Sequence, residues 1–244
     1  MDKNDAALRA ARQAMVLEIA AEVRATRRHL GKEALDARVM AAMGKVPRHA
    51  FVPPVNRPYA YENRPQPIGH GQTISQPYMV AIMTDLAAVG PKDRVLEIGT
   101  GCGYQTAVLA ELAARVYSVE VVPELANQAA ARLRELGYGN VELRIGDGAL
   151  GWPERAPFDA IVVTAAAWRR VPPTLIDQLA PGGRVVVPVD RSKAAARYPF
   201  TAQEQDLQLI TKDAAGKITE RSVLPVAFVP LVEGSAIPGQ RGKG

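Results

Sequence analysis

The stretch RVLEIGTGCGYQTAVLA, residues 94–110, decides the fold of this 244-residue chain. Its first six residues form a short apolar run that is typical of a buried strand, and residues 105–113 are predicted to form a helix. The glycines between them allow a tight turn in which the backbone approaches a ligand closely. They run G-x-G-x-G, which departs from the G-x-G-x-x-G pattern of dinucleotide sites. The turn therefore argues against a dinucleotide, and by itself it leaves open both another nucleotide-like ligand and a plain strand–helix turn.

Strands and helices alternate from this turn towards the end of the chain. The pattern predicts a further helix over residues 123–136 and a closing pair of antiparallel strands. The remaining predicted strands, the closing pair last, are 116–121, 141–146, 158–164, 184–189, 207–213 and 223–231. Alternation of this kind predicts an α/β fold with a doubly wound, mostly parallel sheet.

The sequence before the turn is helical and then irregular. Helices are predicted over residues 5–30 and 33–43. Residues 55–74 are predicted to be a long irregular segment, which in a compact domain is usually functional. Ser75 is predicted to be the N-cap of a helix over residues 76–89 that has a single apolar face.

The composition is that of one globular domain. The chain is 48% hydrophobic and 23% charged, which argues against a disordered or coiled-coil protein, and no apolar run approaches the ~18 residues of a membrane-spanning helix. A single cysteine and no apolar leader favour the cytoplasm, and one cysteine with three scattered histidines predicts no metal site. We expect one domain with four parts: a helical region (1–54), a flap and helix (55–93), a cofactor-binding α/β core (94–232) and a flexible tail (233–244).

The net charge of +5 is carried by the two ends of the chain. Residues 71–190 hold ten Lys and Arg against thirteen Asp and Glu, so the middle is slightly acidic. A nucleic-acid-binding protein more often concentrates Lys and Arg on one face with interleaved aromatic residues, but only 5% of this chain is aromatic. We therefore expect no nucleic-acid partner.

Three acidic residues accompany the first three strands of the alternating region. Glu97 comes just before the glycines, where a carboxylate repels a pyrophosphate and suits a ligand that bears cations. Glu120 closes the next strand about 20 residues on, where an acid characteristically binds ribose hydroxyls. Asp147 follows the third strand and is placed to accept from an adenine amino group. Together these acids predict S-adenosyl-L-methionine, whose sulfonium and ammonium groups are positive.

From about Val46 to Leu231 the chain resembles the protein-L-isoaspartate O-methyltransferase family. The stretches that carry the resemblance are VPRHAFVPP (46–54), AYENRPQPIGHGQTISQPYMVA (60–81), VLEIGTGCGYQTAVLA (95–110), FDAIVVTAA (158–166) and LAPGGRVVVPV (179–189). The second stretch is highly specific, whereas the third alone indicates only a methyltransferase fold. The resemblance implies the Rossmann-like, doubly wound sheet of S-adenosylmethionine-dependent methyltransferases, with a modified order of its last strands and an N-terminal helical cap.

The resemblance also implies a role for individual residues. Ser75 is implied to be the active-site, catalytic serine. The predicted cofactor-binding residues are Glu97, Gly99 and Gly101 at the methionine part, Glu120 at the ribose, Asp147 and Gly148 at the adenine, and also Thr100 and Gly103 of the glycine turn. The predicted substrate-binding residues are Ile74, Ser75, Thr164 and Ala165.

The implied reaction is methyl transfer to the carboxylate of L-isoaspartyl residues in damaged proteins and peptides, whose ester collapses to a succinimide and partly returns aspartate. We expect the enzyme to be a monomer. Two alternatives stay open: a methyltransferase of RNA or of a small carboxylate, and a non-catalytic adenosine-binding module. Methyltransferases of base amino groups usually carry an Asn/Asp-Pro-Pro-aromatic turn after the fourth strand, where this chain has residues 163–166, Val-Thr-Ala-Ala.

The chain departs from the family pattern in places that should surround the peptide groove. Residues 167–170, Ala-Trp-Arg-Arg, stand where the family usually has Pro-Glu, and Ala227 replaces a residue that is often basic. Residues 190–206 also differ and include Tyr198-Pro199-Phe200. These departures bear on substrate preference more than on the reaction. Three arginines are expected to attract an anionic peptide: Arg64, Arg169 and Arg170.

Overall fold

The computed structural model describes residues 3–192 and 204–232. The predicted tail and the Tyr198-Pro199-Phe200 stretch therefore lie outside the described residues. The helices are α1 (Lys3–Ala25), α2 (Arg27–Leu30), α3 (Ala37–Lys45), α4 (Pro77–Ala87), α5 (Tyr104–Ala110), α6 (Pro123–Glu135) and α7 (Pro173–Asp177). The strands are β1 (Gln66–Gly69), β2 (Gln72–Ile74), β3 (Arg94–Ile98), β4 (Arg115–Glu120), β5 (Val141–Ile145), β6 (Phe158–Val163), β7 (Ala167–Trp168), β8 (Leu179–Asp190), β9 (Gln205–Lys212) and β10 (Ile218–Val226). Within the described part, no helix combines the length and apolar character needed to cross a bilayer.

The central sheet has the strand order β10-β9-β8-β6-β3-β4-β5, and the short β7 pairs with β8. Pairing is parallel from β8 through β6, β3 and β4 to β5, whereas β9 and β10 run antiparallel at the edge. This arrangement confirms the predicted α/β fold with a doubly wound, mostly parallel sheet and an antiparallel closing pair. The chain proceeds from β3 to β4 and β5 on one side and crosses to β6 on the other, and such a reversal opens a crevice at the carboxyl end of β3.

The strands are apolar because helices cover both faces of the sheet, as parallel sheets require. Along β3, Val95 packs into the core on the face covered by α1 and α3–α6. Its neighbours Leu96 and Ile98 belong to the core on the opposite face, which α7 covers. All three are at most 1% exposed, so β3 is held firmly at the centre of the molecule, with its carboxyl end at the crevice.

Helix α4 differs from its prediction in two ways. It begins at Pro77, the N-cap position is Gln76, and no side chain caps it, so the predicted capping role of Ser75 is wrong. Proline at the first helical position has no amide to satisfy, which lessens the need for a cap. Every residue of α4 is buried, because α1, α3, α5 and the sheet surround it, so the helix is not limited to one apolar face.

Other elements also differ from the sequence patterns. Helix α3 begins at Ala37 because the Asp36 side chain accepts from the Arg38 amide and caps it there. Residues 55–74 are not irregular throughout, since they include the antiparallel hairpin β1–β2. Strand β10 begins well before the predicted residue 223, because its first half is exposed and polar and carries no apolar signal.

Candidate active site

A cavity of about 410 Å³ opens at the carboxyl ends of β3, β4 and β6. Its wall combines the end of the hairpin β1–β2 with Ser75, the glycine turn after β3, the end of β4, and residues 229–232 near the end of the described chain. Ligand pockets typically measure roughly 300–1,000 Å³, so the cavity is large enough for a small cofactor. Among the described residues, no group of His, Cys, Asp and Glu side chains is arranged to hold a metal ion.

The glycine turn needs its glycines for both conformation and space. Gly99 has φ +92° and Gly101 has φ +54°, in the left-handed region that favours glycine. A Cβ added to Gly99 would lie 2.4 Å from Thr164 Oγ1. That hydroxyl lies 2.7 Å from the Gly99 carbonyl oxygen, to which it donates. Thr164, which directly follows β6, thus holds residue 99 in place. The backbone of residue 99 forms part of the cavity wall without any side chain.

Glu120 is a nearly buried carboxylate whose orientation is fixed by the backbone. One oxygen accepts from the Gly101 amide at 2.7 Å, and the other accepts from the Val122 amide at 2.9 Å. Glu120 is 5% exposed and lines the cavity. Each carboxylate oxygen can accept a further hydrogen bond from a group inside the cavity, and contact with ribose hydroxyls stays a prediction.

Glu97 lies behind the glycine turn and is not among the residues that line the cavity. Its Oε2 accepts from Thr106 Oγ1 at 2.5 Å and from Ser118 Oγ at 2.6 Å. Ser118 in turn is 2.6 Å from the hydroxyl of Thr100, which does line the cavity. Burial of the carboxyl raises its pKa to about 8. Glu97 therefore supports the turn through hydroxyl groups, and direct contact with a ligand stays a prediction.

Ser75 lies at the mouth of the hairpin, between β2 and α4, and lines the cavity. Its carbonyl oxygen accepts from Arg48 Nη2 at 2.8 Å. Nothing in the described part of the chain hydrogen-bonds to its hydroxyl. The structure thus brings Ser75 to the same cavity as Glu120 although the two residues are far apart in sequence.

The structure brings nine of the predicted site residues to the cavity and leaves three outside its wall. Those that line it are Ile74, Ser75, Gly99, Thr100, Gly101, Glu120, Gly148, Thr164 and Ala165. Besides Glu97, the ones outside are Gly103, which precedes α5 and would direct a Cβ at Leu133, and Asp147. The Asp147 side chain accepts from the Ala149 amide and caps a short 3-10 turn. Cofactor contacts by these three residues stay predictions.

The sequence reasoning missed two parts of the site. Residues 229–232 reach the cavity because Ala166 exchanges backbone hydrogen bonds with Val229 and Leu231 at 2.8 Å each. The Phe-Val-Pro motif of residues 228–230 overlaps this contact, but a motif does not reveal which strand end it meets. Arg48, which supports the site from behind, also has no predicted role, because VPRHAFVPP contributes to the family resemblance without indicating what any of its residues does.

The residues expected at the flap and the peptide groove are dispersed. Arg64 forms an ion pair with Glu62, with the Nε and Oε2 atoms 2.5 Å apart. Arg169 and Arg170 line a separate groove beyond β7 that also contains acidic side chains. Tyr61, expected in the flap, is buried, and its hydroxyl lies 2.7 Å from His49 Nδ1.

The family model and two curated relatives that match this chain are all described as protein-L-isoaspartate O-methyltransferases. Residues 25–236 match the family model described as protein-L-isoaspartate(D-aspartate) O-methyltransferase. The chain is 57% identical to protein-L-isoaspartate O-methyltransferase 2 of Syntrophobacter fumaroxidans over 92% of this chain and 87% of the relative. It is 58% identical to the enzyme of the same name from Polaromonas sp. over 89% of this chain and 98% of the relative.

Solved structures give the same picture. A protein-L-isoaspartate O-methyltransferase superimposes with a TM-score of 0.73 at 26% identity, covering 92% of this chain and 66% of the other, so this chain spans about two thirds of that longer one. A beta-aspartate methyltransferase from Plasmodium falciparum, in complex with S-adenosyl-L-homocysteine, has a TM-score of 0.69 at 25% identity and covers 89% of this chain and 98% of its own.

Proposed function

The chain belongs to the protein-L-isoaspartate(D-aspartate) O-methyltransferase family, and we propose that the cavity beside Ser75 is where it carries out that family's reaction. It is an S-adenosyl-L-methionine-dependent enzyme that methylates the free carboxylate of L-isoaspartyl residues in damaged proteins. The ester then closes to a succinimide, and hydrolysis of the succinimide returns some aspartyl residues. The observation that carries the proposal is the convergence of Ser75, the glycine turn and Glu120 on one cavity.

The cavity suits the cofactor in size, charge and backbone geometry. In this proposal the backbone of residues 99–101 holds the methionine part, Glu120 accepts from the ribose hydroxyls, and Gly148 lies against the adenine. Glu124 also lines the cavity, and two acids favour a ligand that bears cations over a nucleotide polyphosphate. Bound there, S-adenosyl-L-methionine supplies an electrophilic methyl group.

The reaction needs no general base from the chain, because a carboxylate with a pKa of about 4 is already ionised at neutral pH. Ser75 donates a hydrogen bond from its hydroxyl to one oxygen of the substrate carboxylate and so orients the other oxygen for in-line attack. Ile74 and Ala165 form apolar wall beside it and exclude water. Orientation and water exclusion of this kind can contribute several kcal/mol to catalysis.

Thr164 contributes to this site by holding its wall. Its hydroxyl has one proton, and the carbonyl oxygens of Gly99 and Ile98 lie 2.7 Å and 3.1 Å away to accept it. The hydroxyl therefore binds the glycine turn in this structure, and substrate binding by Thr164 stays a prediction. In the proposed substrate complex, Thr164 fixes the position of the turn opposite Ser75.

The substrates are isoaspartyl-containing proteins and peptides. The glycine turn, Glu120 and Thr164 lie at the ends of neighbouring strands of one central sheet, which supports a single methyltransferase domain, and a monomeric enzyme stays a prediction. The one cysteine, Cys102, is buried and unpaired, which suits the reducing cytoplasm. The proposed reaction requires neither nucleic acid nor a membrane surface.

A direct assay tests the proposed function. The protein is incubated with methyl-labelled S-adenosyl-L-methionine and with matched peptides that contain isoaspartate or aspartate at one position. We expect base-labile methyl ester on the isoaspartyl peptide alone, because the family to which the chain belongs acts on the isoaspartyl carboxylate. Equal labelling of both peptides, or label only on added RNA, would contradict the proposal.

Substitution of Ser75→Ala tests the catalytic serine. We expect kcat to fall by about 10²-fold or more, as when one positioned hydrogen-bond donor is removed from a reacting oxygen. The Kd for S-adenosyl-L-homocysteine, measured by calorimetry, should stay within about twofold because no cofactor contact is assigned to this hydroxyl. Ser222→Ala, an exposed serine on β10, is the matched control and should leave kcat unchanged. Wild-type turnover in Ser75→Ala would remove the serine from the mechanism.

A further inference from the structure

Arg48 is a buried cation directly behind the cavity. Its side chain is 0% exposed, and the Nε and Nη2 atoms donate to the carbonyl oxygens of Ala60 and Ser75, each at 2.8 Å. The guanidinium carbon lies 4.8 Å from the centre of the Tyr104 ring, and Tyr104 lines the cavity. None of the ion pairs formed within the described part of the chain includes Arg48.

A buried arginine without a carboxylate partner is costly for folding. Charges leave water at a penalty of several kcal/mol, and even paired ones are often replaced by apolar residues without loss of stability. Burial accordingly lowers the pKa of Arg48. Stability alone therefore gives little reason for a charged side chain here, and its contacts indicate a different use.

Both carbonyl contacts are at the ends of one segment. Ala60 precedes residues 61–74, and Ser75 follows them. That segment contains the hairpin β1–β2, and its last residues form cavity wall. One guanidinium therefore ties together the two ends of the segment, and its planar, forked donors suit two acceptors in fixed positions.

The outer side of the same segment has a separate tether. Asn63 donates to Glu22 of α1 at 2.5 Å and accepts from the Tyr78 amide at 3.0 Å. Gln76 also donates to Glu22, at 3.3 Å. These contacts attach the segment to α1 and α4, but they do not touch Ser75. Arg48 is the residue that contacts the Ser75 backbone itself from within the core.

We propose that Arg48 is a positioning residue for methyl transfer. Its guanidinium donates to the carbonyl oxygens of Ala60 and Ser75, fixes the two ends of segment 61–74, and thereby holds the Ser75 hydroxyl at the cavity. The inference rests on the proposed function, because it acts through the serine that orients the substrate carboxylate. Arg48 itself touches neither substrate nor cofactor.

Two substitutions test the proposal. Arg48→Lys keeps the charge, but its single ammonium group cannot donate to both carbonyl oxygens in the geometry of the guanidinium. Arg48→Met fills similar volume without a buried charge, so it should fold. For both variants we expect kcat to fall at least about tenfold, with the Kd for S-adenosyl-L-homocysteine within about twofold of wild type, because a small misplacement of a reacting group is costly to turnover. The matched control is Arg94→Lys, since Arg94 also donates to a backbone carbonyl and stacks on a tyrosine, at the opposite end of β3.

A double-mutant cycle separates positioning from general destabilisation. If Arg48 acts through Ser75, Arg48→Lys should lower kcat in the wild-type background and change it by less than about twofold in the Ser75→Ala background. An equal loss in both backgrounds, or a kcat of Arg48→Lys within twofold of wild type, would overturn the proposal.

A second readout does not depend on activity. Amide hydrogen exchange of residues 66–74 should be faster in Arg48→Lys and Arg48→Met, while the protection of β3 and β6 stays as in wild type. Unchanged exchange of the hairpin would also overturn the proposal. If the wild-type enzyme makes no methyl ester, the proposed function fails by itself, and the exchange experiment still decides whether Arg48 holds the segment.

Discussion

At the scale of single residues, the buried carboxyl of Glu97 makes the stability of the protein depend on pH. Its pKa rises from 4.5 to about 8 on folding, chiefly because burial penalises the charged form. Between roughly pH 5 and 8 the folded protein therefore holds a proton that the unfolded chain has lost, and the free energy of unfolding falls as pH rises through this window.

Glu97→Gln should remove this dependence. We expect the free energy of unfolding of wild type to fall relative to that of Glu97→Gln as the pH rises from 5.5 to 8.5, because the amide cannot lose a proton. Urea unfolding of both proteins at several pH values measures the difference. If wild type instead gained stability relative to the variant over that range, the native carboxyl would be ionised and the hydroxyls of Thr106 and Ser118 would outweigh burial.

At the scale of elements, the sequence predicted the strands of the central sheet from short runs rich in apolar and β-branched residues. Strands β3 and β6 are buried along almost their whole length, so the apolar residues in their sequences are enough to identify them as strands. The hairpin β1–β2 alternates buried and exposed residues over only a few positions and contains a proline, so no pattern marks it. Its position depends on contacts with distant parts of the chain, because Ile68 and Ile74 are buried in the core together with residues of α1 and α4–α6.

The candidate site was predictable to a similar extent and for similar reasons. The glycine turn and Glu120 follow strands that the sequence identifies, and the geometry of a doubly wound sheet brings such strand ends together. The side chain of Glu97 points away from the cavity because residues alternate between the faces of a strand, which a motif does not record. Arg48 could not be predicted, because its partners are backbone carbonyls and carry no sequence signal.

At the scale of the whole molecule, the cavity joins parts of the chain that are far apart in sequence. The hairpin supplies Thr73 to Ser75, the centre supplies the glycine turn and Glu120, and residues 229–232 close the opposite wall. A ligand that touches all three regions binds the folded state and has no equivalent site in the unfolded chain. Ligand binding should therefore stabilise the molecule as a unit.

We expect S-adenosyl-L-homocysteine at a hundredfold excess over its Kd to add about 2.7 kcal/mol to the free energy of unfolding, which corresponds to a rise in Tm of roughly 5–10 °C. Hydrogen exchange should slow in the hairpin, the glycine turn and residues 229–232 together. The matched control ligand is ATP, which shares the adenosine but carries a triphosphate that Glu120 and Glu124 repel, so it should leave Tm unchanged. Equal stabilisation by ATP, or protection confined to one of the three regions, would show that the cavity does not act as a single cofactor site.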